Sequence, residues 1–468
     1  MLTVDDLTDL GVLDAAGLIA ARKLSPVELT QACLDRIEAL DGKVNAVLRR
    51  LPERALAAAK RAEAEIMADR PKGPLHGVPY ALKDIIDLAG VPTTAHSQAL
   101  AGAAPATADA TVAARLEAAG GVCLAKLSTW EFAVGGPSFD LPWPPARNPW
   151  DLARTPGGSS SGSGAGVAAR FFPAALGTDT GGSIRNPAAA CGIVGLKPTY
   201  GRVPLSGVIP LSTSLDHVGP MTRTVGDNAA IFDIIAGHDP NDPTSASLAT
   251  PNVSDGLDRG VKGLKIGVIR HFWERDGEAH PEIAAAIEAA LDVYRRLGAE
   301  LVEIELAPLK DYVACLMPIM AAEAYQYHRA NLEAGSNAYG ALARERIMAG
   351  AKLIGADYLD AAEERRRLAA QFRQAMAGVA AALTIVTLQP PPRLDDAEGL
   401  RRSFGLEGRP PFNIVGAPAM AMPVGATSEG LPIAIQVIGK HFDEAMLYRV
   451  AAAYERETEW TKRRPPLV

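Results

Sequence analysis

Residues 155–186 read TPGGSSSGSGAGVAARFFPAALGTDTGGSIRN, with two clusters rich in glycine and serine at residues 157–164 and 181–183. An apolar segment separates the two clusters. Glycine at this density lets backbone amides turn towards a bound group, and serine supplies hydroxyls. The stretch therefore predicts a ligand site built from loops that lie between buried elements.

Three other kinds of glycine-rich segment do not fit this stretch. A flexible linker would not resume with apolar residues every few positions. A phosphate-binding loop requires lysine where Ser163 stands, and the dinucleotide pattern requires glycine where Val167 stands. Linker and nucleotide-binding functions are therefore both disfavoured.

A nucleophile elbow is a further alternative, because residues 158–162, GSSSG, formally satisfy GxSxG. That elbow follows a buried strand, whereas polar residues 151–156 precede it here. It also needs a later Asp and His that face each other, and the adjacent pair Asp216 and His217 is too close in sequence to do so. The elbow is rejected.

Six segments carry a resemblance to a known family. They are LKD at 82–84, GGSS at 157–160, GTDTGGSIR at 177–185, CGIVGLKPT at 191–199, SLDHVGP at 214–220 and the run from Leu431-Pro432 to Gly439. In order and spacing they resemble the amidase signature family from about residue 70 to 230 and again from about 410 to 460. The resemblance implies a serine amidohydrolase that needs no metal or organic cofactor.

The resemblance implies that Ser183 is the nucleophile, Ser159 a bridging serine after a cis peptide bond, and Lys83 the general base. A lysine accepts a proton only when it is uncharged, and with a pKa near 10.4 only about 1 in 2,500 is neutral at pH 7. Burial disfavours the ammonium, and Lys83 lies in the apolar run 78–86. Asp84 and Asp87 would oppose this effect, so we expect their side chains to point away.

The loop before Ser183 is predicted to form the oxyanion hole. The backbone amides of Thr180, Gly181, Gly182 and Ser183 are the expected donors, since two glycines allow the chain to curl around one oxygen. Asp179 and Arg185 are expected to brace this loop.

Substrate contacts are predicted for Trp130, Phe132, Gly135 and Gly158. The two aromatic side chains either line an apolar pocket or belong to the core, and the sequence leaves both alternatives open. The segment 310–400 is expected to wall the acyl and leaving-group pockets. Its residues 387–390, TLQP, replace the Pro-Thr-Thr-Pro-like turn of many family members, which predicts a reshaped wall.

The expected fold class is α/β, with a large central twisted mixed sheet covered on both sides by helices, because short apolar strands alternate with helices. We predict one amidase domain over residues 1–468. It comprises a helical layer (1–70), the signature core (71–240), a variable substrate-loop and helical region (241–400), and a final strand and helix (401–468).

Composition limits the partners. The chain has 468 residues, 48% of them hydrophobic and 22% charged, and a net charge of −7, which is typical of soluble globular proteins. It has no dense basic run, so direct nucleic-acid binding is not expected. Acidic residues stand where a secretory signal is basic, and no apolar stretch reaches about 20 residues. No membrane contact and a cytoplasmic location are therefore expected.

The predicted activity is hydrolysis of C–N bonds other than peptide bonds. The principal hypothesis is a stand-alone amidase, monomer or homodimer, for a small-molecule amide, with anilides and carbamates (urethanes) as further candidates. The alternative is the glutaminase (A-type) subunit of a tRNA-dependent amidotransferase complex. The helices between residues 317 and 378 do not resemble those of such subunits, which favours the first hypothesis.

Overall fold

Eleven β-strands form one sheet in the computed structural model, which describes residues 3–467. In chain order they are β1 (Val47–Arg50), β2 (Pro79–Lys83), β3 (Val122–Leu127), β4 (Ala174–Thr178), β5 (Val194–Lys197), β6 (Val218–Thr222), β7 (Lys265–Val268), β8 (Glu300–Glu303), β9 (Ala381–Ile385), β10 (Ala419–Ala426) and β11 (Pro432–Ile438). Across the sheet the order is β1-β3-β2-β4-β6-β5-β10-β11-β9-β7-β8. Parallel and antiparallel neighbours both occur, so the sheet is mixed.

Sixteen α-helices lie between residues 3 and 467. They are α1 (Val4–Thr8), α2 (Val12–Ala20), α3 (Pro26–Val44), α4 (Pro52–Met67), α5 (Thr111–Ala118), α6 (Ser161–Ala168), α7 (Arg185–Cys191), α8 (Val225–Ile235), α9 (His271–Glu274), α10 (Pro281–Arg296), α11 (Leu309–Glu333), α12 (Ala341–Ala349), α13 (Gly355–Ala375), α14 (Ala397–Arg402), α15 (Pro411–Ile414) and α16 (Glu444–Glu455). α6 packs with α7, and α8 with α16, against the central strands. The predicted α/β fold, a central mixed sheet between helical layers, is confirmed.

The central strands bring the chemistry together. β2 and β4 are buried along their whole length, which explains why each reads as a continuous apolar run and not as an alternation. The two strands are parallel, with Leu82 opposite Leu176. Their carboxyl ends therefore place Lys83 and Thr178 side by side beneath the loops that follow.

Strands from every predicted region join this sheet. β7 and β8 are parallel neighbours on either side of α10 and form a βαβ unit with it. The last α-helix, α16, follows β11. No helix within residues 3–467 is long and apolar enough to cross a membrane.

The sequence-based prediction named neither β1 nor β10. β1 lies inside the segment 1–70, which was predicted to be entirely helical, and pairs antiparallel with β3 at the edge of the sheet. Its sequence, VLRR, has no apolar alternation, because an edge strand with exposed arginines carries little periodic signal. β10 was also missed, although it pairs with both β5 and β11.

Candidate active site

Lys83 lies at the carboxyl end of β2 and is fully buried. Its Nζ donates to Ser159 Oγ and to Thr178 Oγ1, each at 2.7 Å. Burial lowers the pKa of Lys83 from its ordinary 10.5 to about 7, although the negative charges of Asp216 and Asp179 act in the opposite direction. A substantial fraction of this amine is therefore uncharged near neutral pH.

Neighbouring carboxylates are held away from this amine. Asp84 Oδ1 forms an ion pair with Lys126 Nζ at 2.8 Å, and Asp84 Oδ2 accepts hydrogen bonds from the backbone and the hydroxyl of Thr94. The adjacent aspartate therefore faces a different lysine, as expected from the sequence.

The buried lysines of the described chain have different partners. Lys126 faces the carboxylate of Asp84 and donates to the hydroxyl of Thr93, and Lys197 contacts the carbonyls of Pro198 and Ala417 and the imidazole of His217. Of these three lysines, Lys83 is the one that donates to a serine of the glycine-serine stretch, and a hydroxyl can pass a proton onward. Its surroundings therefore suit proton transfer.

Ser159 follows a cis peptide bond with Gly158, as the resemblance implied. The Ser159 carbonyl accepts hydrogen bonds from the backbone N–H of Trp130 at 3.1 Å and the hydroxyl of Thr129 at 3.0 Å. The next residue, Ser160, donates its N–H to the carbonyl of Ser183 at 3.2 Å. These contacts fix Ser159 next to Lys83 and place the loop that carries Ser183 beside Ser160.

Ser183 is partly exposed, whereas Ser159 and Lys83 are buried. Its hydroxyl makes no hydrogen bond to another residue of the described range 3–467. Lys83 and Ser159 are therefore both enclosed, and the predicted nucleophile is the one of the three side chains that reaches solvent.

Asp179 holds the loop between β4 and Ser183. Its carboxylate accepts from the backbone N–H of Gly182 at 2.8 Å and of Ile184 at 3.1 Å, and it forms a fully buried ion pair with Arg185 at 3.0 Å. Burial alone would raise the pKa of Asp179, but the guanidinium of Arg185 holds it well below its usual range. These contacts brace the loop, as expected.

One of the four predicted oxyanion donors, the N–H of Gly182, is already hydrogen-bonded within the loop. Because the N–H of Gly182 is bound to Asp179, it is not available for an oxyanion. Within residues 3–467, no acceptor is found for the N–H groups of Thr180, Gly181 or Ser183. Thr180 is further fixed by its hydroxyl, which donates to Asp216 Oδ1 at 2.6 Å. The predicted oxyanion donors are therefore reduced to three.

The family model for amidases matches residues 28–448. The chain belongs to the amidase family. The A-type subunit of the glutamyl-tRNA(Gln) amidotransferase of Chloroflexus aurantiacus is 42% identical over 492 aligned residues, which cover 99% of each chain.

Two solved structures show the same fold. One was obtained in work on a vestigial protein complex and the evolutionary origins of an s-triazine catabolic enzyme. It has 32% identity and a TM-score of 0.90, and covers 96% of this chain and 98% of its own. The other is the A-type subunit of the Thermotoga maritima glutamyl-tRNA(Gln) amidotransferase, with 32% identity, a TM-score of 0.81, and coverage of 97% and 96%.

These relatives overturn the predicted partners. We expected a small-molecule amide or carbamate substrate and a monomer or homodimer. The relatives are instead subunits of a glutamyl-tRNA(Gln) amidotransferase. The partner prediction was wrong, and the sequence contains no motif for subunit contacts comparable to the glycine-serine stretch.

The predicted substrate contacts of this amidase divide into two groups. Trp130 lies over Gly158, packs against Phe404 with ring centroids 4.9 Å apart, and lines the large cavity described below. Gly135, at φ +86°, lies against Arg346, whose guanidinium stacks on Phe404 at 4.6 Å. Trp130 therefore lines the cavity, whereas Gly135 lies behind Arg346 and Phe404 and does not.

Phe132 does not reach the cavity, so its predicted substrate contact is not supported by the geometry. Its ring is 3% exposed and packs against His328 at 4.4 Å and Tyr339 at 5.5 Å. It belongs to a second, smaller apolar cluster with residues such as Leu332 and Ile347. Phe132 is therefore a core residue, the other alternative that the sequence allowed.

Replacing Gly158 with alanine is expected to destabilise this amidase by about 1–3 kcal/mol and to lower its turnover. A Cβ at this position would lie 2.1 Å from Cε2 of Trp130, so the indole or the Ser159 backbone must move. Chemical denaturation and an amide-hydrolysis assay measure the two effects. Gly17→Ala in α2 is the control, because no atom lies within 4 Å of its added Cβ. Equal stability of the two variants would contradict the expectation.

A cavity of about 920 Å³ opens beside the nucleophile loop of this amidase. Trp130, Gly157 and Asn186 form its inner side, and the segment 387–409 contributes most of its outer wall. The TLQP turn at 387–390 belongs to this wall, as expected. Among residues 3–467, no group of three or more His, Cys, Asp or Glu side chains is arranged to hold a metal ion.

Arg409, Glu407 and Asn186 are cavity residues that the sequence did not single out. Arg409 and Glu407 lie just before the second stretch of family resemblance and outside the quoted motifs, and only the fold brings Arg409 to Gly182. Asn186 follows Ser183 closely, but a single amide in a helix carries no distinctive pattern. The one available signal was the pair of charges in residues 407–409, between apolar neighbours.

Proposed function

We propose that this amidase is the glutaminase subunit of a tRNA-dependent amidotransferase and releases ammonia from the side-chain amide of glutamine through a serine acyl-enzyme. The observation that carries the proposal is the 42% identity to the A-type subunit of Chloroflexus aurantiacus across 99% of both chains. The active-site geometry supports an amide hydrolase. Such a subunit would act in the cytoplasm, where tRNA is aminoacylated.

The first half of the proposed reaction forms the acyl-enzyme. Ser183 Oγ attacks the amide carbon while its proton passes to Ser159 Oγ, whose own proton passes to neutral Lys83. The 2.7 Å contact between Lys83 Nζ and Ser159 Oγ supports the second transfer. The same relay returns a proton to the amide nitrogen, so the C–N bond breaks and ammonia leaves.

The second half regenerates the enzyme. A water molecule loses a proton to the relay and attacks the ester carbon, and Ser183 Oγ leaves with a proton returned from Lys83 through Ser159. The N–H groups of Thr180, Gly181 and Ser183 would stabilise the oxyanion in both halves. Their rigid loop is favourable, because preorganised donors need no reorientation as charge develops.

We expect glutamine-dependent conversion of Glu-tRNA(Gln) to Gln-tRNA(Gln) when this chain replaces the A-type subunit in a reconstituted Chloroflexus aurantiacus amidotransferase. Product tRNA and released ammonia are measured together. The isolated chain is assayed in parallel on glutamine, aryl amides and carbamates. The same assembly with Ser183→Ala is the control and should form neither product.

A different pattern would contradict the proposal. Rapid hydrolysis of aryl amides or carbamates by the isolated chain, with no glutamine-dependent product in the assembly, would show an amidase of another specificity. Mass spectrometry of the rapidly quenched enzyme adds a direct test, since a glutamyl group on Ser183 is expected during turnover.

A further inference from the structure

Arg409 is a buried cation that borders the cavity beside the nucleophile loop. Only 5% of the residue is exposed, and its Nη2 donates to the carbonyl of Ser403 at 2.9 Å. Its Nε makes no hydrogen bond with any residue in the range 3–467. Leaving a buried charged donor without an acceptor is costly. Nε itself is covered by the protein, so the guanidinium meets the cavity through Nη1, which makes no hydrogen bond with residues 3–467 and is not fully covered.

The side chain lies directly against the residue that precedes Ser183. A Cβ built on Gly182 would be 2.8 Å from Arg409 Cδ and 3.2 Å from Arg409 Nε. Gly182 has φ +124°, a backbone conformation that favours glycine, and the absence of a side chain leaves room for the guanidinium. An anion bound at the exposed end of this guanidinium would therefore lie beside the residue that precedes Ser183.

The charges around Arg409 do not neutralise it. Asp179 is saturated by Arg185, Asn413 and two backbone amides. The carboxyl of Glu407 is 3.9 Å from Arg409 Nη2 and accepts the backbone N–H of Leu388 at 2.9 Å. Burial raises the pKa of Glu407 to about 7 despite the attraction of Arg409, so this carboxyl is only partly ionised near neutral pH. The guanidinium of Arg409 is therefore not fully neutralised by the carboxylates around it.

We propose that Arg409 binds a carboxylate of the substrate, and thereby selects amides that carry a carboxylate a few bonds from the scissile carbonyl. The inference rests on the proposed amide hydrolysis at Ser183. Glutamine belongs to this class of substrate, but the inference does not require glutamine. A guanidinium suits this role because it stays charged and offers several donors in one plane.

Arg346 is the competing cation. It lies at Gly135, stacks on Phe404, and forms no hydrogen bond or ion pair with residues 3–467. Unlike Arg409, it is partly exposed, so water can hydrate its guanidinium when the site is empty. Because Arg409 is buried and lies next to Gly182, it is the better candidate of the two to bind the substrate carboxylate.

The test compares glutaramate, the monoamide of glutaric acid, with pentanamide, which has a methyl group in place of the carboxylate. The unmodified enzyme should prefer glutaramate. In Arg409→Met, kcat/KM for glutaramate should fall about ten- to a hundredfold, mainly through KM, because a charge-assisted contact is lost. Turnover of pentanamide should stay within about threefold, and Arg409→Lys should recover part of the preference for glutaramate.

Arg401→Gln and Arg346→Met complete the design. Arg401 lies in α14 close to the cavity, but it is exposed and does not line the cavity, so its loss should leave the hydrolysis of both substrates unchanged. Equal losses for glutaramate and pentanamide in Arg409→Met would assign it a structural role only and overturn the inference. A preference that disappears with Arg346 and persists without Arg409 would also overturn it.

The outcomes separate this inference from the proposed function. If the reconstituted amidotransferase is inactive but glutaramate hydrolysis depends on Arg409, the glutaminase proposal fails and the carboxylate site stands. If glutamine is used equally well with and without Arg409, the carboxylate site fails and the glutaminase proposal stands.

Discussion

Replacing Ser183 with alanine is expected to lower kcat for amide hydrolysis by about four orders of magnitude or more. The variant retains the three free loop amides and the cavity but has no oxygen with which to form an acyl-enzyme. Binding should therefore persist while chemistry stops. Steady-state kinetics give the loss of kcat, and mass spectrometry of the quenched enzyme should find no acyl group on the protein.

Ser161→Ala is the matched control in the same glycine-serine stretch. Ser161 begins α6, and its hydroxyl makes only a long contact of 3.4 Å to the carbonyl of Ser128. The activity of Ser161→Ala should therefore remain within about twofold of that of the unmodified enzyme. Full activity of Ser183→Ala, or an acyl group on a serine other than Ser183, would contradict the proposed nucleophile.

Replacing Lys83 with methionine is expected to reduce kcat at pH 7 by at least about a thousandfold, because no base remains within reach of Ser159. In the unmodified enzyme the base must be neutral, so activity should rise with pH through about 7, the pKa of Lys83, and level off above it. The variant should lack this rise and recover some activity only in alkali, where hydroxide replaces the base. An unchanged pH profile would exclude Lys83 from this role.

The same substitution is expected to raise the free energy of unfolding. Lowering the pKa of Lys83 from 10.5 to about 7 disfavours the charged folded state by roughly 5 kcal/mol, at about 1.36 kcal/mol for each pKa unit. The cost is fully present below pH 7, where both states are protonated, and it disappears as the pH rises through 10.5. After the loss of two hydrogen bonds, a net gain of about 2 kcal/mol at pH 7 is expected.

Urea denaturation at several pH values measures this difference. The stability advantage of Lys83→Met should be largest at and below neutral pH and should vanish towards pH 10.5. Lys126→Met is the control, because Lys126 is equally buried but paired with Asp84. Its loss leaves a carboxylate unpaired and should destabilise the protein. If Lys83→Met is less stable than the unmodified protein at pH 7, burial of the Lys83 amine does not lower the free energy of unfolding as proposed.

The buried motifs made much of the fold predictable. β2 lies within the apolar run 78–86, and β4 lies in the apolar segment between the two glycine-serine clusters. β1 was not predictable, because its place in the sheet depends on pairing with β3 and not on its own four residues. An edge strand with two exposed arginines is indistinguishable locally from a loop.

The candidate site divides in the same way. Lys83, Ser159 and Ser183 lie in short, distinctive motifs, so their proximity could be expected before the structure. The involvement of the Gly182 amide with Asp179 depends on one hydrogen bond in a curled loop, and no pattern of residue types encodes it. The position of Arg409 requires the long-range packing of the 403–409 loop onto Gly182, which a single sequence does not reveal.

The outer wall of the cavity and the residues of the proton path come from distant parts of the gene. Residues 387–409 connect β9 to α15, whereas Lys83 is the last residue of β2, Ser159 precedes α6, and Ser183 lies between β4 and α7. Drift in the connecting segment can therefore retarget the enzyme while the reactive core is inherited unchanged. Random libraries confined to that segment are accordingly the economical starting point for directed evolution of new amide specificities.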